Sequence, residues 1–546
     1  MSKPSVAVYD TTLRDGAQGE GISFSLAAKL RLAQRLDEMG VAFIEGGYAG
    51  SNEKDMAFFR EIRRVPLKHA RVAAFGSTRR ARMRVQDDPL LARLLEADTR
   101  VVTVFGKAWD RHVRNVLRAS LRENLAMISD TVGYLKEHGR DVIFDAEHFF
   151  DGYAARPEYA MACLEAARAA GADTLVLCDT NGGRLPWDVG AVTREVCQTL
   201  AVPIGFHGHD DAGMAAANTL EAVRAGAAHI HGTVNGYGER CGNANLCALL
   251  PALEIKMGFS CLATGQLARL RELALFTESL VNVRHNPKAP YVGNSAFSHK
   301  GGHHVNAVKK DAGSYEHVPP ESVGNARRVL VSELSGSANV LLKAIEMGMG
   351  RRESATRAPD ILKTLKTMEN QGYAFEGADA SFRMLVQKTL KKHKSFFDLE
   401  GFRVIVEKRG KNEPCLSEAT LKLRVADEIE QTVAEGDGPV NALDGALRKA
   451  VTRFYPSVRN VSLTDFRVSI LDPEEATAAK TRVLIESGDG ETVWRTIGVS
   501  DNIIEASWQA LLDSVEYKLF KEEADNGKRR KRNNKGKARP AKRSKT

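Results

Sequence analysis

The chain has 546 residues, 43% of them hydrophobic and 27% charged, enough to bury large cores and long enough to favour more than one domain. Its formal charge of +9 is a tail effect: residues 527–546 hold 11 Lys or Arg and no acid, which leaves the rest near −2 and argues against a nucleic-acid surface in the body. No apolar run approaches a membrane span, the N-terminus lacks the order of a signal peptide, and the seven cysteines contain no CxxC pair, so a cytoplasmic protein without disulfide framework or zinc ribbon is expected.

The first 260 residues alternate short β-branched or aromatic runs with longer amphipathic stretches. Runs at 5–9, 43–46, 72–75, 101–105, 142–144, 174–178, 203–206 and 230–234 lie about thirty residues apart and predict eight strands. Between them helical spacing recurs, as in Leu26, Leu30, Ala33, Leu36 and Met39, and Pro157 sits where a first helical turn accepts it. Eight regular β/α units predict an α/β fold, a (β/α)8 TIM barrel over residues 1–280. A doubly wound sheet does not need eight such units.

Polar residues gather after these strands, at the end where barrels of this kind build their active sites. Tyr9-Asp10-Thr11-Thr12-Leu13-Arg14-Asp15-Gly16 closes strand 1 and sets an arginine beside a carboxylate. Such a pair, buried, is costly unless it does chemistry or holds an ion. Glu147 follows strand 5, and Asp179-Thr180-Asn181-Gly182 follows strand 6. In Phe206-His207-Gly208-His209 the two imidazoles, two residues apart on a strand, share a side and can aim at one ion. Asn243 follows strand 8 in Gly238-Glu239-Arg240-Cys241-Gly242-Asn243. Asp15, His207, His209 and an Asn243 carbonyl together predict a divalent-metal site. Any one of them alone is ordinary loop polarity; their meeting at one rim is not.

These residues also carry a resemblance. TTLRDG (11–16), HGHDD (207–211) and GERCGNANL (238–246) resemble the signatures of the acyl-CoA-condensing branch of the DRE-TIM metallolyases, the 2-isopropylmalate, homocitrate and citramalate synthases. Within that branch VYDTTLRDGAQGEGISFS, FIEGGYAGSNEKD and FGKAWDRHV are most similar to the long bacterial citramalate synthases. The resemblance implies metal ligation by Asp15, His207 and His209, with Asn243 as a fourth or more distant ligand. It implies keto-acid binding by Arg14 and Gln18, carboxylate binding by Thr180, and acetyl-CoA and pyruvate as substrates. Mn²⁺, Mg²⁺, Co²⁺ and Zn²⁺ all suit two imidazoles with oxygen donors. Phe105 and Phe144, at strand ends 4 and 5, are expected to narrow the keto-acid pocket.

The chemistry is coherent without the family. A 2-keto acid offers a carboxylate and a carbonyl oxygen that chelate one divalent ion, and Arg14 can stabilise the charge that grows on that oxygen. The carbon nucleophile arises by removing a proton from the acetyl-CoA methyl group. Glu147 and His304 are the candidates for that base and for activating the water that hydrolyses the thioester.

After residue 281 the texture changes to a Pro-, Gly- and Asn-rich stretch, followed by a helical pattern over 326–347, and residues 281–395 read as linker subdomains. Ala296-Phe297-Ser298-His299-Lys300-Gly301-Gly302-His303-His304-Val305 resembles the family segment whose histidine acts in catalysis, often in a partner's barrel. The apolar and glycine positions align it with His304, with His303 as the alternative. Residues 396–523 form a further unit, with strands expected at 402–406, 419–425, 461–470 and 482–486 and helices around 440–451 and 504–515. Residues 438–451 resemble the regulatory domain of isopropylmalate synthases, which implies an α+β domain, a homodimer or higher oligomer and, for citramalate synthases, inhibition by isoleucine. The basic tail, 524–546, lacks apolar residues and is expected to be disordered. Its role is solubility, or else salt-sensitive contact with polyanions.

Isopropylmalate or homocitrate synthesis is the alternative reading, since a methylene or two on the keto acid changes binding by only about 1–3 kcal/mol. A lyase of the same superfamily would lack the regulatory domain, and no glycine-flanked cysteine of the lyase kind lies in 281–310. An RNA-binding protein would need aromatic and basic surfaces in the near-neutral body.

Overall fold

The computed structural model describes residues 3–50, 53–281, 283, 285–330, 337–346, 351–390, 393, 395–471, 474 and 479–537. The chain divides into two compact units, Met1–Ser298 with Glu316–Arg328, and His299–Tyr315 with Val329–Thr546.

In the first unit β1 (Ala7–Asp10), β2 (Phe43–Tyr48), β3 (Arg71–Ser77), β4 (Val101–Lys107), β5 (Asp141–Glu147), β6 (Thr174–Asp179), β7 (Ile204–Gly208) and β8 (His229–Gly232) close a parallel barrel in chain order. β8 returns to β1 in register, from Ala7 against His229 to Asp10 against Gly232. All eight lie on the predicted runs. They read as continuous apolar runs because a barrel strand is buried on both faces: Val8, Ile44, Val104 and Leu175 pack outward beneath the helices, while Tyr9, Phe43, Ile143 and Val176 fill the interior. Between β1 and β2, Ser25 accepts the Ala28 N–H at 3.1 Å and starts helix Leu26–Met39, which Gly40 ends in a left-handed turn. Pro157 occupies the first turn of helix Pro157–Ala169, as its fixed φ permits.

In the second unit Phe397–Glu407, Leu416–Val425 and Glu428–Gly436 form one antiparallel sheet, and Ser462–Ile470, Thr481–Gly488 and Val493–Ser500 another. Helices Pro439–Thr452 and Ile503–Lys537 bury Leu443, Leu447, Trp508 and Leu511 against Leu421, Val483 and Ile485 of the strands. Helices Ser337–Glu346, Arg351–Asn370 and Asp379–Thr389 share a smaller core of Val340, Ile361, Leu365 and Phe382.

Three expectations need correction. The helical pattern over 326–347 is helix only as Ser337–Glu346; Arg328 and Val329 are extended, with the Arg328 N–H on the Phe297 carbonyl at 2.9 Å, and 331–336 and 347 lie outside the described residues. Strands Glu428–Gly436 and Val493–Ser500 were not expected at all. The tail, expected to be disordered from 524, instead prolongs helix Ile503–Lys537, because Lys and Arg propagate a helix already nucleated upstream. Residues 538–546 lie outside the described residues. Among the described residues no helix is long and apolar enough to cross a membrane, and the cysteines are all unpaired.

Candidate active site and metal centre

β1 ends in a tight turn. The Thr11 carbonyl accepts the N–H groups of Arg14, Asp15 and Gly16 at 3.2, 2.9 and 3.1 Å, and this leaves Asp15 facing the barrel mouth. Across the mouth, His207 on β7 and His209 just beyond it present rings whose centroids are 5.3 Å apart. One ligand atom from each of Asp15, His207 and His209 lies within 4.8 Å of the other two. The loop after β8 adds Asn243, which pairs with His209 in a single β-bridge. Gly242 makes that approach possible with a φ of +95°; a Cβ there would lie 2.0 Å from the Gly236 carbonyl oxygen.

Burial holds the His207 imidazole down to about 3 and lowers His209 as well, so both rings are neutral and present lone pairs. Burial would raise the Asp15 carboxyl, but its neighbours, the Arg14 guanidinium foremost, outweigh it, and the group stays below the usual carboxylate range. Among the described residues, the Nδ1 atoms of both histidines and the Asn243 Oδ1 are buried without a hydrogen-bond partner. Orphaned polar atoms around an ionised carboxylate mark a place completed by an ion, and this donor set fits a divalent cation.

Arg14 sits beside the cluster, its Nη1 3.4 Å from Asp15 Oδ2 and its guanidinium 3.8 Å over the Phe75 ring. Its Nε donates to Glu45 Oε2 at 2.6 Å. Glu45, wholly buried on β2, also accepts the Tyr9 hydroxyl at 2.7 Å and the Thr11 hydroxyl. Burial would lower the Arg14 pKa; Glu45 and Asp15 more than reverse it and keep the guanidinium charged. Glu45 therefore fixes the orientation of Arg14. It escapes a reading by motif, although its signal is present: a carboxylate inside an apolar run must have a buried partner.

A cavity of about 470 Å³ opens over this group, and Arg14, Asp15, Gln18, Glu147, Thr180, His207 and His209 all line it. Glu147 is ion-paired with Lys107. The Thr180 hydroxyl accepts the His148 N–H at 2.8 Å, and its carbonyl accepts Arg240 Nη2 at 2.8 Å. Phe105 lines the cavity as expected, together with Phe75. Phe144 does not: alternation along β5 turns it outward into the layer beneath the helices, and its inward neighbour Asp145 reaches the cavity instead. His304 belongs to the second unit, exposed on helix Gly302–Lys310 with its ring centroid 4.5 Å from that of Tyr315, and His303 is exposed beside it.

Comparison with known proteins follows this division. The HMGL-like family model matches residues 5–274, the homocitrate synthase post-HMGL domain-like model residues 291–372, and the LeuA allosteric (dimerisation) domain model residues 376–519. The chain is 52% identical to the (R)-citramalate synthase of Geobacter sulfurreducens over 96% of its own length and 99% of that protein. It is 48% identical to the enzyme of the same name from Aquifex aeolicus, over 95% and 99% of the two chains. For that of Synechocystis sp. the identity is 49%, over 95% and 96%. With identity at this level over 95–96% of its length, the chain belongs to the (R)-citramalate synthase family.

Proposed function

We propose that the chain catalyses the reaction its relatives are named for: the acetyl-CoA methyl carbon condenses with the carbonyl carbon of pyruvate, and the thioester is then hydrolysed to (R)-citramalate and free CoA. It acts as an acyltransferase that converts an acyl group into an alkyl group on transfer. The observation that carries this reading is the convergence of Asp15, His207, His209 and Arg14 in one cavity of a chain matched over nearly its whole length by (R)-citramalate synthases.

A divalent ion held by Asp15, His207 and His209, with Asn243 at or near the fourth position, would polarise the keto-acid carbonyl as a Lewis acid. Arg14, fixed by Glu45, directs its N–H groups at the oxygen that gains charge as the new C–C bond forms. Thr180 binds the keto-acid carboxylate and Gln18 contacts the same substrate. Glu147 and His304 divide the proton transfers: one proton leaves the acetyl methyl group, and another leaves the water that attacks the thioester as the CoA thiol departs.

In this reading residues 1–280 are the catalytic barrel, 281–395 linker subdomains, 396–523 a regulatory dimer domain and 524–546 a basic tail of a cytoplasmic enzyme. Citramalate leads towards isoleucine, and isoleucine is the inhibitor. The match to an allosteric dimerisation domain over 376–519 supports a homodimer or higher oligomer. A thiol-release screen across pyruvate, 2-ketoisovalerate and 2-ketoglutarate tests the substrate, and pyruvate should be clearly preferred. Preference for either of the other two moves the chain to isopropylmalate or homocitrate synthesis with the same residues in the same roles.

A further inference from the structure

Arg240 stands where the backbone does not suit an arginine. The Glu239 carbonyl accepts the Gly242 N–H at 2.9 Å and closes a turn in which Arg240 has a φ of +57°, the left-handed region that glycine or asparagine normally supplies. Its guanidinium grips Asp211 twice, Nε to Oδ1 at 2.7 Å and Nη2 to Oδ2 at 2.9 Å, and Nη2 also donates to the Thr180 carbonyl at 2.8 Å. Three loops thus meet on one side chain, since Thr180 follows β6, Asp211 follows β7 and Arg240 follows β8. From the other side, the Thr180 hydroxyl oxygen accepts the N–H of His148, just past β5, at 2.8 Å. The loop after β6 is packed tightly on the carboxylate that Arg240 holds: a Cβ on Gly182 would lie 2.4 Å from Asp211 Oδ2.

Folding gives little reason for this arrangement. The side chains of Arg240 and Asp211 are 42% and 26% exposed, and a left-handed backbone at a residue other than glycine costs at least as much as so open an ion pair returns. What the arrangement does fix is Thr180. Its carbonyl is held by Arg240 and its hydroxyl oxygen by the His148 N–H, so the residue cannot turn. The hydroxyl proton has no acceptor among the described residues, and it is left to donate to a ligand in the cavity that Thr180 lines.

We propose that Arg240 is the positioning residue of Thr180: its fork, anchored on Asp211, clamps the loop after β6 so that the Thr180 hydroxyl meets the keto-acid carboxylate in one fixed geometry. Without the clamp the substrate itself has to order the loop, and the cost appears in binding. The carboxylate takes no part in the bond-making, so Thr180 holds it equally before and during the reaction. A contact of that kind contributes to KM rather than to kcat. Nε and Nη2 of Arg240 are engaged by Asp211 and Thr180, and Nη1 lies 3.8 Å from the Glu239 carboxylate, so the guanidinium acts through Thr180 rather than on the substrate.

The inference rests on the keto-acid reading of Thr180, and its test separates the two. Free-CoA release by full-length wild type, Arg240→Gly, Asp211→Asn, Thr180→Val and the double variant Arg240→Gly/Thr180→Val is measured against pyruvate at saturating acetyl-CoA. Arg240→Gly removes the fork and gives the turn a residue that its φ suits. It should raise the pyruvate KM about tenfold or more and leave kcat within about threefold of wild type. Asp211→Asn leaves the turn untouched, weakens the anchor and should raise KM in the same direction. In the Thr180→Val background, Arg240→Gly should add less than about twofold, because nothing is left to position. Multiplied effects would mean that Arg240 binds substrate itself, and an unchanged KM in Arg240→Gly that it positions nothing; either overturns the assignment. Arg240→Gly should also melt close to wild type and bind Mn²⁺ as wild type does in a direct titration. A large fall in either shows that Arg240 serves the fold or the metal loop, and overturns the inference as well. A wild-type pyruvate KM in Thr180→Val is the failure of the Thr180 reading, whereas a KM raised in Thr180→Val but not in Arg240→Gly is the failure of the inference alone.

Discussion

At the scale of single residues, the barrel mouth joins an ionised carboxylate, two neutral imidazoles and a guanidinium, each held in its charge state by the others and by burial. Loss of the ion or of a ligand should remove charge stabilisation worth about 4 kcal/mol, roughly a thousandfold in rate. Chelation with EDTA, Asp15→Ala and His207→Ala should each show that fall in kcat/KM, and the two variants should not recover with moderate added metal. Full turnover in a verified metal-free sample would refute the site. Arg14→Lys should lose about a hundredfold, since an ammonium cannot hold Glu45 and a substrate oxygen in the guanidinium's planar fork. Asp10 behaves differently. Burial raises its carboxyl to about 7, so between the unfolded value near 4 and that pH the folded chain holds a proton that the unfolded chain has lost. Its stabilising contribution is complete below the lower value and disappears as pH rises through the upper one. Asp10→Asn should accordingly gain in melting temperature relative to wild type between pH 5 and pH 8, and a constant difference would contradict the raised value. The meeting of Asp15, His207 and His209 was legible in the sequence because polar residues at strand ends stand out against apolar runs. Glu45 was not, because its significance lies in Tyr9, Thr11 and Arg14, partners that only the closed barrel brings near.

At the scale of elements, the metal cluster depends on how β7 ends. Asp210 N–H bonds the Gly242 carbonyl at 3.0 Å and Ala244 N–H bonds the Gly208 carbonyl at 3.0 Å, so the loop after β8 is laid against the His207–His209 segment through the single bridge at Asn243. Gly242→Ala must either strain a left-handed backbone, at about 1–3 kcal/mol, or move the loop off Gly236. It should weaken divalent-metal binding in a direct titration while leaving Asp15, His207 and His209 chemically intact, and unchanged affinity would show that Asn243 is dispensable. The same physics explains which elements the sequence reveals. Barrel strands are buried on both faces, so their runs are continuous and unmistakable. Strand Glu428–Gly436 is exposed along most of its length and carries Glu428, Glu430 and Glu435, so it has little pattern to show. Phe144 was placed on the wrong face because a run apolar on both faces does not say which residue points inward.

At the scale of the whole molecule, the chemistry needs more than the barrel if His304 carries one of the proton transfers, since the described residues that line the cavity belong to the first unit and His304 to the second. An isoleucine effect must arise by preferential binding to one conformational state. Truncation near residue 395 should therefore abolish any isoleucine sensitivity while leaving Asp15, His207 and His209 intact, with some loss of activity where dimer contacts matter. The allosteric dimerisation domain matched over 376–519 makes a sharper experiment possible. His304→Ala and Asp15→Ala subunits, each inactive alone, are mixed under conditions in which exchange is shown by a tag on one of them. If His304 serves the barrel of a partner, each mixed dimer regains one intact site, and up to about a quarter of wild-type activity returns, since random exchange places half the chains' dimers in the mixed form with one site of two restored. If exchange is complete and no activity appears, catalysis is confined to a single chain, and His304 must act on its own barrel or not at all.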